Sequence, residues 1–144
     1  MAVQVRPGRS IWKKMLVKEI RFKDEYIDLI LQGIKDQMRF PVIGENDNCP
    51  LGSTGSMLLW KYAGHKSQPR KEIKFIIKTT RRETLKQISN NDLIREGCYS
   101  KDEFIKQWDT LYPSKYNSVR NPDVWVVEFE RVKINPWGHN GQNV

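Results

Sequence analysis

The 144-residue sequence contains no apolar run approaching the roughly 20 residues that a membrane-crossing helix needs. Its opening stretch, Met1 to Lys14, carries charge but lacks the apolar centre of a signal peptide. Both absences point to a cytoplasmic protein with no membrane partner. Cysteine is scarce: Cys49 and Cys98 stand far apart and outside any CxxC pattern, so reduced thiols are expected rather than a disulfide. His65 and His139 fall in loop-like stretches and do not complete the closely spaced ligand set of a zinc site. No metal and no cofactor are expected. Internal repeats and low-complexity segments are missing too, which leaves hydrophobic period and punctuation to report the organisation.

What is present fits one domain, whose folding buries roughly two-thirds of the unfolded surface at this length. Hydrophobic residues make up 38% and charged residues 29%, a polar balance, yet five Trp, five Tyr and five Phe are too many aromatics for a disordered chain. The expected layout is a basic tail over 1–14, a domain over 15–134 and a C-terminal tail over 135–144.

The formal net charge of +8 is unevenly placed. Residues 1–18 hold five basic residues and no acid, and residues 61–86 hold nine against Glu72 and Glu83, so the remainder sums to −4. Clustered Lys and Arg suit a polyanion, because neutralising phosphates releases condensed counterions. The opposing reading is a solvated charged surface.

Met15 to Phe22 reads as a strand. Asp24 is placed to cap a short helix in which Ile27, Ile30 and Leu31 share a face, with Gly33 as its left-handed stop. Ile34 to Val42 reads as a loop and Gly44 to Ser56 as a turn-rich segment. Strands follow at Met57 to Tyr62 and, after a basic loop over Ala63 to Lys71, at Glu72 to Thr80, where Ile73, Phe75 and Ile77 alternate with Lys74 and Lys78 and Ile76 breaks the pattern. Ser89 can cap a helical turn ending at Gly97. Ser100 with Glu103 forms a capping box ahead of Phe104, Trp108 and Leu111, and Pro113 ends that helix. Val124 to Val132 reads as a half-buried strand. The sum is an α+β domain with an antiparallel, partly closed sheet.

Ile30 to Val42, ILQGIKDQMRFPV, resembles the signature of the ASCH family, in which a helix-ending Gly is followed by a Lys and then an Arg: here Gly33, Lys35 and Arg39. Four further stretches resemble that family in the same order, especially the form common in bacteriophage genomes. They are CPLGSTGSMLLW (Cys49 to Trp60), ETLKQISNNDLIREG (Glu83 to Gly97), FIKQWDTLY (Phe104 to Tyr112) and NPDVWVVEFERV (Asn121 to Val132). The resemblance implies a small PUA-like β-barrel flanked by short helices, with a cleft beside the barrel that takes a nucleoside or RNA. Some small members hydrolyse N4-acetylcytidine and others are linked to RNA cleavage; the hydrolase chemistry uses a Lys, a Thr three residues on and a distant Glu. Lys35 and Glu96 match the first and last, but Met38 stands at the Thr position, a thioether with no attacking oxygen. The family's Gly-Asp is Gly55-Ser56 here, and Lys61 and Tyr62 stand where an acid is expected.

The resemblance therefore implies an RNA- or nucleotide-binding domain with a degenerate catalytic site. Its alternatives are a hydrolase using Lys35 and Glu96, and a phage-type protein that binds a host protein. Beside Lys35 and Arg39, the phosphate-binding candidates are Lys66, Arg70, Lys71, Lys74, Lys78, Arg81 and Arg82, and Arg6, Arg9, Lys13 and Lys14 could add a basic arm. Tyr62, closing a strand beside the basic loop, is open to base stacking or to packing. Trp60 and Trp125 lie in apolar strand patterns and read as core. Trp137 is left open between capping the barrel and lying exposed.

Overall fold

The computed structural model describes residues 17–44, 47–65 and 68–133. The expected tails, Lys66 and Trp137 lie outside the described residues. Five strands form one mixed sheet: β1 (Val17–Glu19), β2 (Gln37–Pro41), β3 (Met57–Tyr62), β4 (Lys71–Thr84) and β5 (Asp123–Arg131). Their order is β1-β3-β4-β5-β2, with β1 parallel to β3 and every other pairing antiparallel. The sheet is α+β in its setting but does not close, since β1 and β2 remain as opposite edges. Among the described residues no helix is long and apolar enough to cross a membrane.

At 14 residues β4 is the spine. Its first half pairs with β3, and a bulge between Ile77 and Thr79 shifts its register against β5. Such an extra residue bends the strand and re-aims its side chains. The hydroxyl of Thr54 donates to the carbonyl of Lys78 at that point (3.1 Å).

Among the described residues three α-helices are set around the sheet: α1 (Ile27–Leu31), α2 (Asn90–Glu96) and α3 (Lys101–Leu111). Asp24 does not cap α1. It begins a 3-10 turn, Asp24–Tyr26, that runs into the helix and whose N-cap, Lys23, makes no side-chain cap bond. Gly33 does supply the left-handed stop (φ 80°). The caps expected downstream form: Ser89 accepts from the Asp92 amide and Ser100 from the Glu103 amide. The Glu103 carboxylate returns one residue early, to the Tyr99 amide (2.6 Å), so the box is offset.

Two apolar clusters result. One joins Phe22, Trp60, Phe75 and Phe129 with Ile27 and Ile30 of α1; the other joins Phe104 and Trp108 of α3 with Leu93, Cys98, Val124 and Val126. In the first, Phe22 stands edge-on to Trp60 with centroids 5.3 Å apart, a favourable arrangement for aromatic quadrupoles. β5 serves both clusters, one on each face, so Val124 to Val127 are all buried and the half-buried reading of this strand is corrected.

The stretch read as a loop contains β2, and the physical reason is instructive. Its buried positions alternate as a strand requires, but they are Gln37, Arg39 and Pro41, while Met38 and Phe40 on the other face are half-buried. Period 2 is present in burial and hidden in hydropathy. Pro41 is tolerated because β2 is an edge strand.

Candidate functional site

Gly33 turns the chain back after α1, and the amides of Ile34 and Lys35 both donate to the Leu29 carbonyl (2.8 and 3.1 Å). That turn directs the Lys35 side chain inward, where the residue is 4% exposed. Its ammonium donates to the Gln37 carbonyl (2.9 Å), to the Glu96 carbonyl (2.7 Å) and to Glu96 Oε1 (3.4 Å). Three donors thus meet three acceptors, the full capacity of a lysine. The Glu96 carbonyl is one that α2 leaves unpaired at its C-terminus, so the ammonium also satisfies a helix end. The Nζ lies 4.8 Å from the centroid of the Tyr26 ring and 5.6 Å from that of Phe22.

Glu96 ends α2, and Gly97 follows in the left-handed conformation (φ 93°). A Cβ at Gly97 would lie 2.9 Å from Tyr26 Cε1, so glycine here permits both the turn and the close approach of the Tyr26 ring. The second Glu96 oxygen accepts from Arg39 Nη1 (2.8 Å). Lys35 and Glu96, 61 residues apart in sequence, are therefore in direct contact.

Arg39 is almost wholly withdrawn from solvent, with its side chain 1% exposed. Besides Glu96 it holds Gln37 (2.7 Å), Glu83 (2.9 Å) and Asp92 (3.2 Å). Burial works against its charge, and Glu96 and Glu83 outweigh that effect. Arg81 continues the network to Asp92 and Glu128 (both 2.9 Å), and Arg95 links Glu128 to Asp36. Burial raises the Asp92 carboxyl, but Gln37, Arg39 and Arg81 more than offset it, and the group lies below the usual carboxylate range. Glu128 is lowered in the same way, with Arg81 and Arg95 overcoming burial.

Lys35, Arg39 and Glu96 line a cleft of about 410 Å³. Its aromatic lining combines the buried Phe22, Phe104 and Trp108 with the partly exposed Tyr26, Phe40 and Tyr112, and Met38 lines it as well. The thioether thus stands within the cleft, at the position where the resemblance leads one to expect a hydroxyl. The polar groups on the α3 side are tied together: Tyr26 donates to Gln107, and Gln107 donates to Glu103 (3.4 Å). Burial, followed by the nearby Glu103 and Glu96 charges, pushes the Cys98 thiol up to about 11, so this cleft-lining cysteine is no nucleophile at neutral pH.

The other candidates fall elsewhere. Tyr62 is 1% exposed with its ring against Trp60 (centroids 5.2 Å apart), so packing is its role and no ring face is offered to a base. Trp60 and Trp125 are buried as expected. Arg70, Lys74 and Lys78 are exposed, and Lys71 donates to Gln68 (3.1 Å). Arg81 is committed to the acidic network, while Arg82 lies over the Trp125 ring (5.5 Å) and pairs with Asp123 (3.4 Å). None of the β4 cations lines the aromatic cleft; Lys78 lines a separate opening of about 440 Å³. Arg21 and Lys23, not singled out by the sequence, do line the cleft. Their signal was the alternation Arg-Phe-Lys, which lies just past β1, a strand that ends at Glu19 rather than at the expected Phe22.

No family model matches the sequence, and no curated protein matches it. Solved structures do. A DUF984 protein of Enterococcus faecalis V583 superposes with a TM-score of 0.60 at 13% identity, over 85% of this chain and 90% of that one. The ASCH domain of Lactobacillus crispatus JV V101 gives 0.52 at 17% identity, over 86% and 85%. A variant of an ASCH protein of Zymomonas mobilis gives 0.50 at 9% identity, over 80% and 69%. Identities this low speak to the fold alone, and the fold is of the ASCH type.

Proposed function

We propose that this chain, with its ASCH-type fold, is a cytoplasmic binding module that takes a nucleoside of RNA into the aromatic cleft without turning it over efficiently. The observation that carries this reading is the state of Lys35 at the floor of that cleft: all three of its donors already have protein acceptors. An ammonium so occupied has to break a bond before it can stabilise an oxyanion. Met38 supports the same reading, since it offers no nucleophile. The partly exposed rings of Tyr26, Phe40 and Tyr112 suit the faces of a base, where stacking contributes about 1–3 kcal/mol per base. Lys74 and Lys78, exposed on β4, add sequence-independent attraction for phosphates along the strand.

The hydrolase reading rests on the Lys35 to Glu96 contact of 3.4 Å. One titration separates the two: single-stranded RNA and N4-acetylcytidine at low and moderate salt, with acetate release followed. Salt-sensitive binding without acetate supports the binding module. Acetate release that disappears in both Lys35→Ala and Glu96→Ala establishes the enzyme instead. Binding of neither ligand, with a protein recovered from nuclease-treated host lysate, would transfer the role to a protein partner.

A further inference from the structure

The rim of the cleft narrows the class of ligand. Arg21 and Lys23 flank Phe22 in the stretch that follows β1, where Lys23 has extended backbone (ψ 141°). Phe22 is turned inward and buried, and alternation along extended chain turns its two neighbours outward. Both are exposed, both line the cleft, and neither has an ion pair among the described residues. This sets them apart from the buried Arg39, whose guanidinium is shared among three carboxylates. Among the described residues the single acid lining the cleft, Glu96, is already divided between Lys35 and Arg39. Asp24 and Glu25 do not line this cleft; they share a neighbouring depression with Arg21, Phe22 and Lys23.

An aromatic-walled interior with two free cations at its mouth is complementary to a planar group carrying an anion. Resting on the function proposed above, we infer that the ligand is a nucleoside phosphate, its base in the cleft and its phosphate held at the rim by Arg21 and Lys23. A free nucleotide and a nucleotide within an RNA strand present this same chemistry.

The test compares cytidine, adenosine, guanosine, uridine and N4-acetylcytidine with their 3′-monophosphates and with pentaribonucleotides, reading affinity by isothermal titration calorimetry. At least one monophosphate should bind roughly five- to tenfold more tightly than its nucleoside, the scale of two exposed charge contacts. The double variant Arg21→Ala/Lys23→Ala should bring that monophosphate to the affinity of the nucleoside, with an unchanged thermal midpoint showing that the fold is kept. Pentanucleotides bound better than monophosphates would identify RNA as the source; equal binding would identify the free nucleotide. A nucleoside that binds as tightly as its phosphate, or a phosphate advantage that survives in the double variant, overturns this inference and leaves the proposed function standing. No binding of any probe overturns both.

Discussion

Strand β4 carries its cations in two different ways on either side of the bulge at Lys78. Before it, Lys74 points away from the core between the buried Ile73 and Phe75, and it has no ion pair among the described residues. Beyond it, Arg81 reaches Asp92 and Glu128, joining the buried network that Arg39 anchors. The linear cluster of basic residues is thus two populations with different physics. Solvated lysines add long-range attraction at little structural consequence, whereas Arg81 joins Arg39 in keeping carboxylates ionised inside the protein and is committed to them.

Breaking the buried population should have the largest effect. Arg39→Leu leaves Glu83, Asp92 and Glu96 without their shared partner, and urea unfolding should show a loss of about 3–5 kcal/mol. A loss below about 1 kcal/mol would erase the distinction between the buried network and the solvated lysines. Arg81→Gln, removing a cation that is 39% exposed, should lose only about 1 kcal/mol in the same assay.

Acid sharpens the comparison further. Asp92 and Glu128 are held below their ordinary range in the folded protein, so their contribution is present above the unfolded carboxylate values of about 4 and is lost as pH falls through the folded ones. The urea midpoint should therefore fall from about pH 4 downward, and the Asp92→Asn variant should show a shallower fall. An identical profile in that variant would remove Asp92 from the account.

The smallest structural effect belongs to the solvated population. Lys74→Glu with Lys78→Glu should change stability by no more than about 0.5 kcal/mol. It should nonetheless weaken RNA binding and flatten its dependence on salt, because fewer counterions are released. Unchanged affinity and slope would mean that these lysines only solubilise an outer face.

Local signals were legible wherever one residue type has one local use. Ser89 and Ser100 act as caps and Gly33 and Gly97 as left-handed stops, because a hydroxyl at an N-cap and a missing Cβ at positive φ act within a few residues. Strands β3, β4 and β5 were legible as strands and the alternation of β4 was legible too, although β4 extends beyond the expected Glu72 to Thr80 and β5 is buried on both faces rather than one. The meeting of Lys35 with Glu96 came from the family resemblance, not from any pattern in the residues. β2 was not legible, since its inward positions are polar and only Glu83, Asp92, Glu96 and Glu128, supplied by other elements, make them tolerable.

By itself the sequence determined an α+β fold, the Ser89 and Ser100 caps and the glycine stops of its helices, its aromatic core strands and its surplus of positive charge, all of which follow from short-range chemistry or from composition. Tertiary structure alone decided which cations are free and which are spent on buried acids, that β1 runs parallel to β3, that the sheet stays open, and that Arg21 and Lys23 border the cleft. Each of these depends on contacts between residues distant in the chain, and charge, unlike capping or strand period, takes its meaning from whatever lies within a few ångströms in space.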